Sequence, residues 1–151
     1  MPTAPPAAQW GLGSWYRHDQ KRPRHQLHVI CDENGCPYVL LLTPGNTYDG
    51  NVAMLAINAL QPSPYQVADT DYDSDALRLW VTERGTTPVI PSKSKRKVQI
   101  GHDRSIYRRS NVIERIFCRF KGWCGIATRF DGNIKIFMAT IAIAATVISL
   151  F

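Results

Sequence analysis

The chain has 151 residues, of which 44% are hydrophobic and 20% are charged. This length and balance predict one globular domain with a sizeable buried core, and they exclude a disordered or low-complexity chain. The four cysteines lack CxxC and zinc-ligand spacing, and no secretion signal begins the sequence, so we expect a cytoplasmic protein with reduced thiols.

The distribution of charge is more informative than the net charge of +6. Residues 32–83 contain eight acidic side chains and one basic one, whereas residues 93–121 contain ten basic side chains and two acidic ones. An acidic centre followed by a basic segment suits a polyanion that is held beside a metal site. Two solvated faces of different charge would produce the same pattern, and charge alone leaves both alternatives open.

The first part of the chain divides into an irregular segment and a predicted hairpin. Residues 1–25 are rich in Pro, Ala, Gly and basic residues without periodicity, so we expect an irregular segment ahead of a domain over residues 26–151. The apolar runs HQLHVIC and CPYVLLLTP flank the turn signal DENG and predict a β-hairpin over about residues 26–43. Asp32 begins this turn, which indicates turn chemistry rather than catalysis.

The middle of the chain alternates helices and strands. NVAMLAINALQP predicts a short helix that ends at Pro62, and YQVAD predicts a buried strand that ends at Asp69. The next helix, DALRLWVTERG, has Asp73 or Ser74 as its candidate cap and ends at Gly85. TPVIP predicts another strand, and SKSKRKVQIGHDRS predicts a polar, basic loop.

Two helices are predicted to complete the domain. A long one starts near Asp103 and runs through YRRSNVIERIFCRFKGWCG. The final sixteen residues, from Ile136 to Phe151, carry no charge. A bilayer span needs roughly 20 apolar residues, so a core-packing helix is favoured over a membrane anchor. The order β-β-α-β-α-β-α-α predicts an α/β fold in which helices cover a mixed sheet.

The stretch YQVADTDYDSDALRLW places Asp69, Asp71, Asp73 and Asp75 at alternate positions. Like charges this close repel one another, so either a divalent metal ion or a solvated turn would explain them. Glu114 lies beside the apolar stripe of the long helix and would point toward strand ends if that stripe docks on the sheet. Asp69 and Glu114 could then share one hard cation such as magnesium; an exposed acid paired with an arginine is the alternative for Glu114.

Four linked segments resemble one family. VADTDYDSDALR, TPVIPSKSKRK and YRRSNVIERIFCRFKGWCGIATRFD are similar, in this order, to motifs of bacterial insertion-sequence transposases with a DDE catalytic site. HVICDENGCPYVLLLTPGNTYD resembles the hairpin region that precedes these motifs. The resemblance covers roughly residues 25–150 and points to the insertion-sequence four/five type.

The resemblance implies a ribonuclease-H-like mixed sheet with packed helices and assigns roles to four residues. Asp69 matches the second acid of the DDE triad and Glu114 matches the third, so both are expected to be catalytic and to bind magnesium. Tyr107 and Lys121 match the Tyr and Lys of the family's Y-R-E-K signature, and Lys121 would contact the DNA backbone. Such enzymes, as the resemblance implies, use two magnesium ions to cut and rejoin DNA at the ends of insertion elements.

Several positions depart from the family pattern, and two of the departures concern its catalytic signature. No segment matches the first acid of the triad, so we expect a sheet that lacks the family's first strand, and Ser110 stands where the signature has Arg. These departures imply a truncated or split-frame copy that is inactive in strand transfer alone; a DNA-binding regulatory fragment without catalysis is the alternative. We expect DNA as the partner, no membrane, and either self-association or pairing with the product of an upstream reading frame. The residues expected to contact DNA are Lys93, Lys95, Arg96, Lys97, Arg104, Arg108, Arg109, Arg115, Arg119 and Lys121.

Overall fold

The computed structural model describes residues 9–19, 22–44, 47–122 and 134–150, which contain a five-stranded mixed sheet. The strands are β1 (Gln9–Asp19), β2 (Arg22–Cys31), β3 (Pro37–Pro44), β4 (Tyr65–Ala68) and β5 (Thr87–Val89). Their order in the sheet is β3-β2-β1-β4-β5. The first three strands pair antiparallel, whereas β4 pairs parallel with both β1 and β5. The predicted mixed sheet is therefore confirmed.

The helices begin and end at residues with suitable local chemistry. They are α1 (Asp49–Asn58), α2 (Asp75–Glu83), α3 (Arg104–Tyr107), α4 (Asn111–Gly122) and α5 (Ile134–Leu150). Ser74 caps α2, because its hydroxyl accepts the backbone N–H of Leu77 at 3.2 Å. Gly85 follows α2 with a φ of 81°, a conformation that favours glycine. Of the two candidate caps, Ser74 is the one the structure uses.

Helices cover both faces of the sheet and bury two hydrophobic clusters. Leu27, Val29 and Cys31 of β2 pack against α4 and α5, whereas Ile30 of the same strand packs against α1 and α2. Successive side chains of a strand point to opposite faces, so one strand contributes to both clusters. This arrangement places β2 and its neighbour β1 inside the domain.

The prediction that the sheet lacks its first strand is wrong, and residues 9–19 are not irregular. They form β1, which lies at the centre of the sheet between β2 and β4. Glycine is depleted in strands, and Gly11 and Gly13 weaken the strand signal of QWGLGSWYRHD. Glycine fits both positions because α4 approaches the β1 backbone closely there.

The long predicted helix is interrupted. A turn of 3₁₀ helix at Arg108–Ser110 separates α3 from α4, and Asp103 caps α3 by accepting the N–H groups of Ser105 and Ile106. The helix predicted to end at Pro62 ends earlier, at Asn58. The end of the long helix that was predicted beyond Gly122 lies outside the described residues.

The last helix, which carries no charge from Ile136 onward, packs into the core, as predicted. Ile141, Ala144, Ala145 and Ile148 of α5 are buried in the cluster formed with β2 and α4. No helix in the described ranges combines the length and the apolar character needed to cross a bilayer.

The hairpin turn also agrees with the sequence. One carboxylate oxygen of Asp32 accepts the backbone N–H groups of Asn34 and Cys36, both at 2.9 Å. Asp32 is therefore a structural turn residue, as its position in DENG indicated.

His28 connects three elements in the interior. Its Nδ1 lies 3.1 Å from the hydroxyl of Tyr72, and its Nε2 lies 2.9 Å from the hydroxyl of Thr43. Burial lowers the pKa of His28 to about 4, from an ordinary value of 6.5, because the charged imidazolium is poorly solvated there. The ring is consequently neutral in the folded protein throughout the physiological range.

The stability of the fold is expected to decrease in mild acid because of His28. Its folded pKa lies below its unfolded pKa, so the stabilisation is complete above about pH 6.5 and is lost as the pH falls toward 4. The free energy of unfolding should fall by about 2 kcal/mol between pH 7 and pH 5, measured by urea unfolding. A His28→Gln variant should show a shallower dependence over this interval; an equally steep one would contradict the assignment.

Candidate active site

Asp69 lies at the carboxyl end of β4, where the sequence predicted it. The preceding residues Val67 and Ala68 are buried, and the chain then enters a 3₁₀ turn at Thr70–Tyr72. One carboxylate oxygen of Asp69 accepts the backbone N–H of Thr70 at 2.6 Å, which fixes the orientation of the group. The side chain remains exposed at the end of the strand.

Glu114 projects from the first turn of α4. Its neighbours Ile113 and Phe117 are buried against the sheet, which sets the rotation of the helix and leaves Glu114 exposed at the edge of the docked face. Glu114 forms no hydrogen bond or ion pair with any residue in the described part of the chain. The pairing with an arginine that the sequence left open is therefore not found there.

The two carboxylates line one cleft. The cleft has a volume of about 140 Å³ and lies between residues 11–13 of β1, the carboxyl end of β4 and the start of α4. Its walls are formed by Gly11, Gly13, Val67, Ala68, Asp69, Tyr107, Ser110, Ile113, Glu114 and Phe117. The structure thus brings together the three residues Asp69, Tyr107 and Glu114 that were predicted from separate motifs.

Both carboxylates of the cleft affect the pKa of Tyr107. Partial burial raises the pKa of Tyr107 above its usual value of 10, and the negative charges of Asp69 and Glu114 raise it further. A hydrogen bond with Ser110 acts in the opposite direction. The phenol is therefore protonated near neutral pH and is available as a hydrogen-bond donor in the cleft.

The wall contributed by β1 contains no acid. Gly11 and Leu12 pair with Val67 and Ala68 of β4, so the next positions in the two strands are Gly13 and Asp69. A Cβ at Gly11 would lie 3.1 Å from Cγ1 of Ile113, and one at Gly13 would overlap Cγ2 of the same side chain. A larger residue at Gly13 would require the Ile113 side chain or α4 itself to shift. Within the described residues, no three His, Cys, Asp or Glu side chains are grouped closely enough to hold a metal ion.

Sequence reasoning missed the glycines of β1 as cleft residues. The only available signal was the alternation in GLG, which places two glycines on one face of a strand. Because a glycine in a strand often marks a close approach by another element, this pattern could have indicated the docking of a helix.

The predicted DNA-contacting residues lie in two regions. Lys93, Lys95 and Lys97 are exposed in the loop after β5, and Arg96 in the same loop forms ion pairs with Asp73 and Asp75. The second region follows this loop in the sequence, in α3, the 3₁₀ turn Arg108–Ser110 and α4. Its arginines are all exposed; they are Arg104, Arg108, Arg109, Arg115 and Arg119. The side chain of Lys121 lies outside the described set, so its predicted role stays a prediction.

The sheet order and the helices on both faces define a ribonuclease-H-like fold. Solved structures support this class of fold. The simian T-cell lymphotropic virus intasome matches with a TM-score of 0.61 and 15% identity over 93% of this chain and 47% of its own. The HTLV-2 integrase catalytic core domain, solved with magnesium, matches with a TM-score of 0.59 and 14% identity over 93% of this chain and 84% of its own. Similarity at this level of identity shows the fold alone, and it confirms the predicted fold class.

The chain belongs to the family of transposase DDE domains, whose sequence profile matches residues 1–148. It is also 30% identical, over 129 residues, to a protein from Burkholderia cepacia assigned as the transposase of insertion sequence element IS402. That match covers 78% of this chain and 59% of the relative, so the chain spans less than two thirds of the relative's length. The resemblance to bacterial insertion-sequence DDE transposases is confirmed.

The pKa of Tyr107 tests whether both carboxylates face the same cleft. We expect the Tyr107 phenol, followed by NMR of ring-labelled tyrosine, to titrate above 10 in the unmodified chain. Either Asp69→Asn or Glu114→Gln should lower this pKa, because each removes a nearby negative charge.

A Glu83→Gln variant serves as the control, since Glu83 is an exposed acid at the end of α2, outside the cleft. The shared-cleft geometry would be contradicted by a Tyr107 pKa that is the same in Glu114→Gln and Glu83→Gln.

Proposed function

We propose that this chain is a DNA-binding DDE domain whose cleft holds one divalent cation through Asp69 and Glu114 and acts on DNA at the ends of an insertion element. The observation that carries the proposal is that these two acids, 45 positions apart in the sequence, line a single cleft. Asp69, Glu114, Tyr107 and Lys121 form the proposed catalytic set.

The cleft residues fit a hard cation. Carboxylate oxygens are the preferred ligands of magnesium, and neither Asp69 nor Glu114 is neutralised by an ion pair within the described residues. A bound magnesium ion would supply Lewis-acid stabilisation of charge on a phosphodiester oxygen. With two acids rather than three, the chain's own residues fit one such ion better than the two that the family resemblance implies.

The remaining groups of the cleft bind and orient. The N–H of Thr70 holds one oxygen of Asp69, so the second oxygen of that carboxylate keeps a fixed direction. The protonated hydroxyl of Tyr107 can donate a hydrogen bond to a phosphate oxygen between the two acids. The exposed lysines and arginines that follow β5 would neutralise the DNA backbone on either side.

The glycines of β1 favour a second candidate, a domain that binds DNA and regulates a transposase without catalysis. The cleft has no third acid among the described residues, and Ile113 fills the space beside Gly13. For this reason we propose that the chain does not complete strand transfer alone. A partner such as an upstream-frame product would have to supply an acid rather than a strand, because β1 already occupies the centre of the sheet.

Cation binding tests the proposed site directly. The unmodified chain should bind one Mn²⁺ or Mg²⁺ ion, detected by calorimetry and by the electron paramagnetic resonance of Mn²⁺. Asp69→Asn and Glu114→Gln should each weaken binding at least about tenfold, because each removes a charged oxygen ligand. Glu83→Gln should bind as the unmodified chain does; equal affinity in all four proteins would place any bound ion elsewhere.

A nicking assay separates the two candidate functions. The substrate is a supercoiled plasmid that carries the DNA flanking the coding sequence, incubated with the chain in magnesium. Nicking that disappears in Glu114→Gln would support a catalytic cleft, whereas DNA binding without nicking would support the regulatory domain. Nicking that persists in Glu114→Gln would remove Glu114 from the proposed catalytic set.

A further inference from the structure

A second aspartate of the alternating series, Asp73, is buried and fully bonded. Its side chain is 1% exposed, and each of its oxygens accepts two hydrogen bonds. The guanidinium of Arg96 donates to both oxygens, at 3.0 and 3.1 Å, while Arg78 donates to one and the backbone N–H of Lys93 to the other, both at 2.8 Å. Burial alone would raise the pKa of Asp73, but these donors hold it well below its usual range. Arg78 also donates to the carbonyl of Ile90, the residue after β5, at 2.7 Å.

The loop that contains Arg96 is closed by its own hydrogen bonds. We call residues 92–100 the lysine loop. At its base, the hydroxyl of Ser92 donates to the carbonyl of Ile100 at 3.0 Å and accepts the N–H of Ile100 at 2.8 Å. Inside the loop, the side-chain amide of Gln99 donates to the carbonyls of Lys93 and Arg96, both at 3.1 Å. The loop is therefore held by the hydrogen bonds of Ser92 at its base, by those of Gln99 inside it, and by the contacts with Asp73.

The charges of the lysine loop are divided between the interior and the solvent. Arg96 is neutralised, because it pairs with the buried carboxylate and, at 2.7 Å, with the exposed carboxylate of Asp75. Lys93, Lys95 and Lys97 are exposed, and none of them forms an ion pair with a residue of the described ranges. The loop thus presents three alternating cations that are available to an external anion.

The lysine loop is also connected to the cleft by two routes, one through Asp73 and one along the chain. The 3₁₀ turn Thr70–Tyr72 is all that separates Asp69 of the cleft from Asp73, and backbone hydrogen bonds of 3.0 Å close this turn. Along the chain, the loop leads to Asp103, the cap of the helix that places Tyr107 in the cleft. The loop is therefore positioned by the same short segments that position the cleft residues.

We propose that Asp73 is a positioning residue that fixes the lysine loop as a preformed surface for DNA phosphates beside the cleft, with Lys93, Lys95 and Lys97 as the phosphate contacts and Arg96 as the internal anchor. The proposal rests on the proposed function, because it identifies how that function would hold its DNA. It removes Arg96 from the predicted DNA contacts and adds Asp73, an acid, to the residues on which DNA binding depends.

Simple electrostatics makes the opposite prediction for Asp73. Removing an acid near a basic loop should strengthen the binding of a polyanion if charge alone matters. Removing an anchor should weaken binding, because a mobile loop has to be ordered when DNA binds. Asp75 offers a matched comparison, since it is an exposed acid that pairs with the same arginine but does not hold the loop backbone.

The test measures the affinity of the full chain for a fluorescein-labelled DNA duplex of mixed sequence, by fluorescence anisotropy across a series of salt concentrations. Asp73→Asn should weaken binding about tenfold, about 1.4 kcal/mol, whereas Asp75→Asn should bind equally or more tightly. Lys95→Gln should reduce the slope of log affinity against log salt by about 0.9, the value for one lost phosphate contact.

A second variant covers the case in which Asp73→Asn does not fold. Ser92→Ala changes no charge and removes the hydrogen bonds that close the base of the loop, so it should also weaken binding by about fivefold to tenfold. Amide hydrogen exchange should show protection at Arg96 and Ile100 in the unmodified chain and faster exchange at both in Ser92→Ala. Circular dichroism melting verifies that each variant is folded.

The outcomes separate this inference from the proposed function. Salt-dependent binding by the unmodified chain, together with unchanged affinity in folded Ser92→Ala, would overturn the positioning role of the loop alone. Tighter binding by Asp73→Asn, matching Asp75→Asn, would overturn it as well. No salt-dependent binding by the unmodified chain would overturn the proposed function, and this inference with it.

Discussion

The candidate site depends on the close contact between α4 and β1. Gly11 and Gly13 have no side chains, so Ile113 can lie directly against the strand backbone. This contact fixes the position and rotation of α4, and it places Glu114, the next residue, in the cleft that Asp69 enters from β4. The same contact leaves no space at Gly13 for a third acid. One packing constraint therefore both assembles the pair of carboxylates and limits the cleft to that pair.

Asp69 and Asp73 show how one residue type takes two roles within a single turn. Asp69 is exposed and has one backbone hydrogen bond, which leaves it able to bind a further cation. Asp73 is buried and accepts four hydrogen bonds from arginines and backbone, which leaves no lone pair for another ligand. The repulsion expected among the alternating aspartates is relieved at Asp73 and Asp75 by Arg78 and Arg96. The turn thus joins the carboxylate that we propose as a cation ligand to a structural one.

The elements that the sequence predicted well are those with strong local signals. The β2–β3 hairpin is marked by apolar runs around a turn in which Asp32 binds backbone N–H groups, and α2 is marked by Ser74 and Gly85. The strand β1 was missed because glycines are unfavourable in isolated strands, and they are accepted here only because a helix packs on them. The break at Arg108–Ser110 was missed because no Gly or Pro marks it in the sequence.

The sequence by itself determined the family, the alternation of strands and helices, the burial of the last helix and the identity of the candidate acids Asp69 and Glu114. Only the tertiary structure decided that these acids share one cleft, that β1 contributes glycines to it, and that Asp73 holds a loop 23 residues away through Arg96. The physical reason is the separation along the chain over which each interaction acts. Propensity, capping and turn chemistry act over a few neighbouring residues, whereas the charge state and bonding of a carboxylate depend on residues that only the folded chain brings within hydrogen-bonding distance.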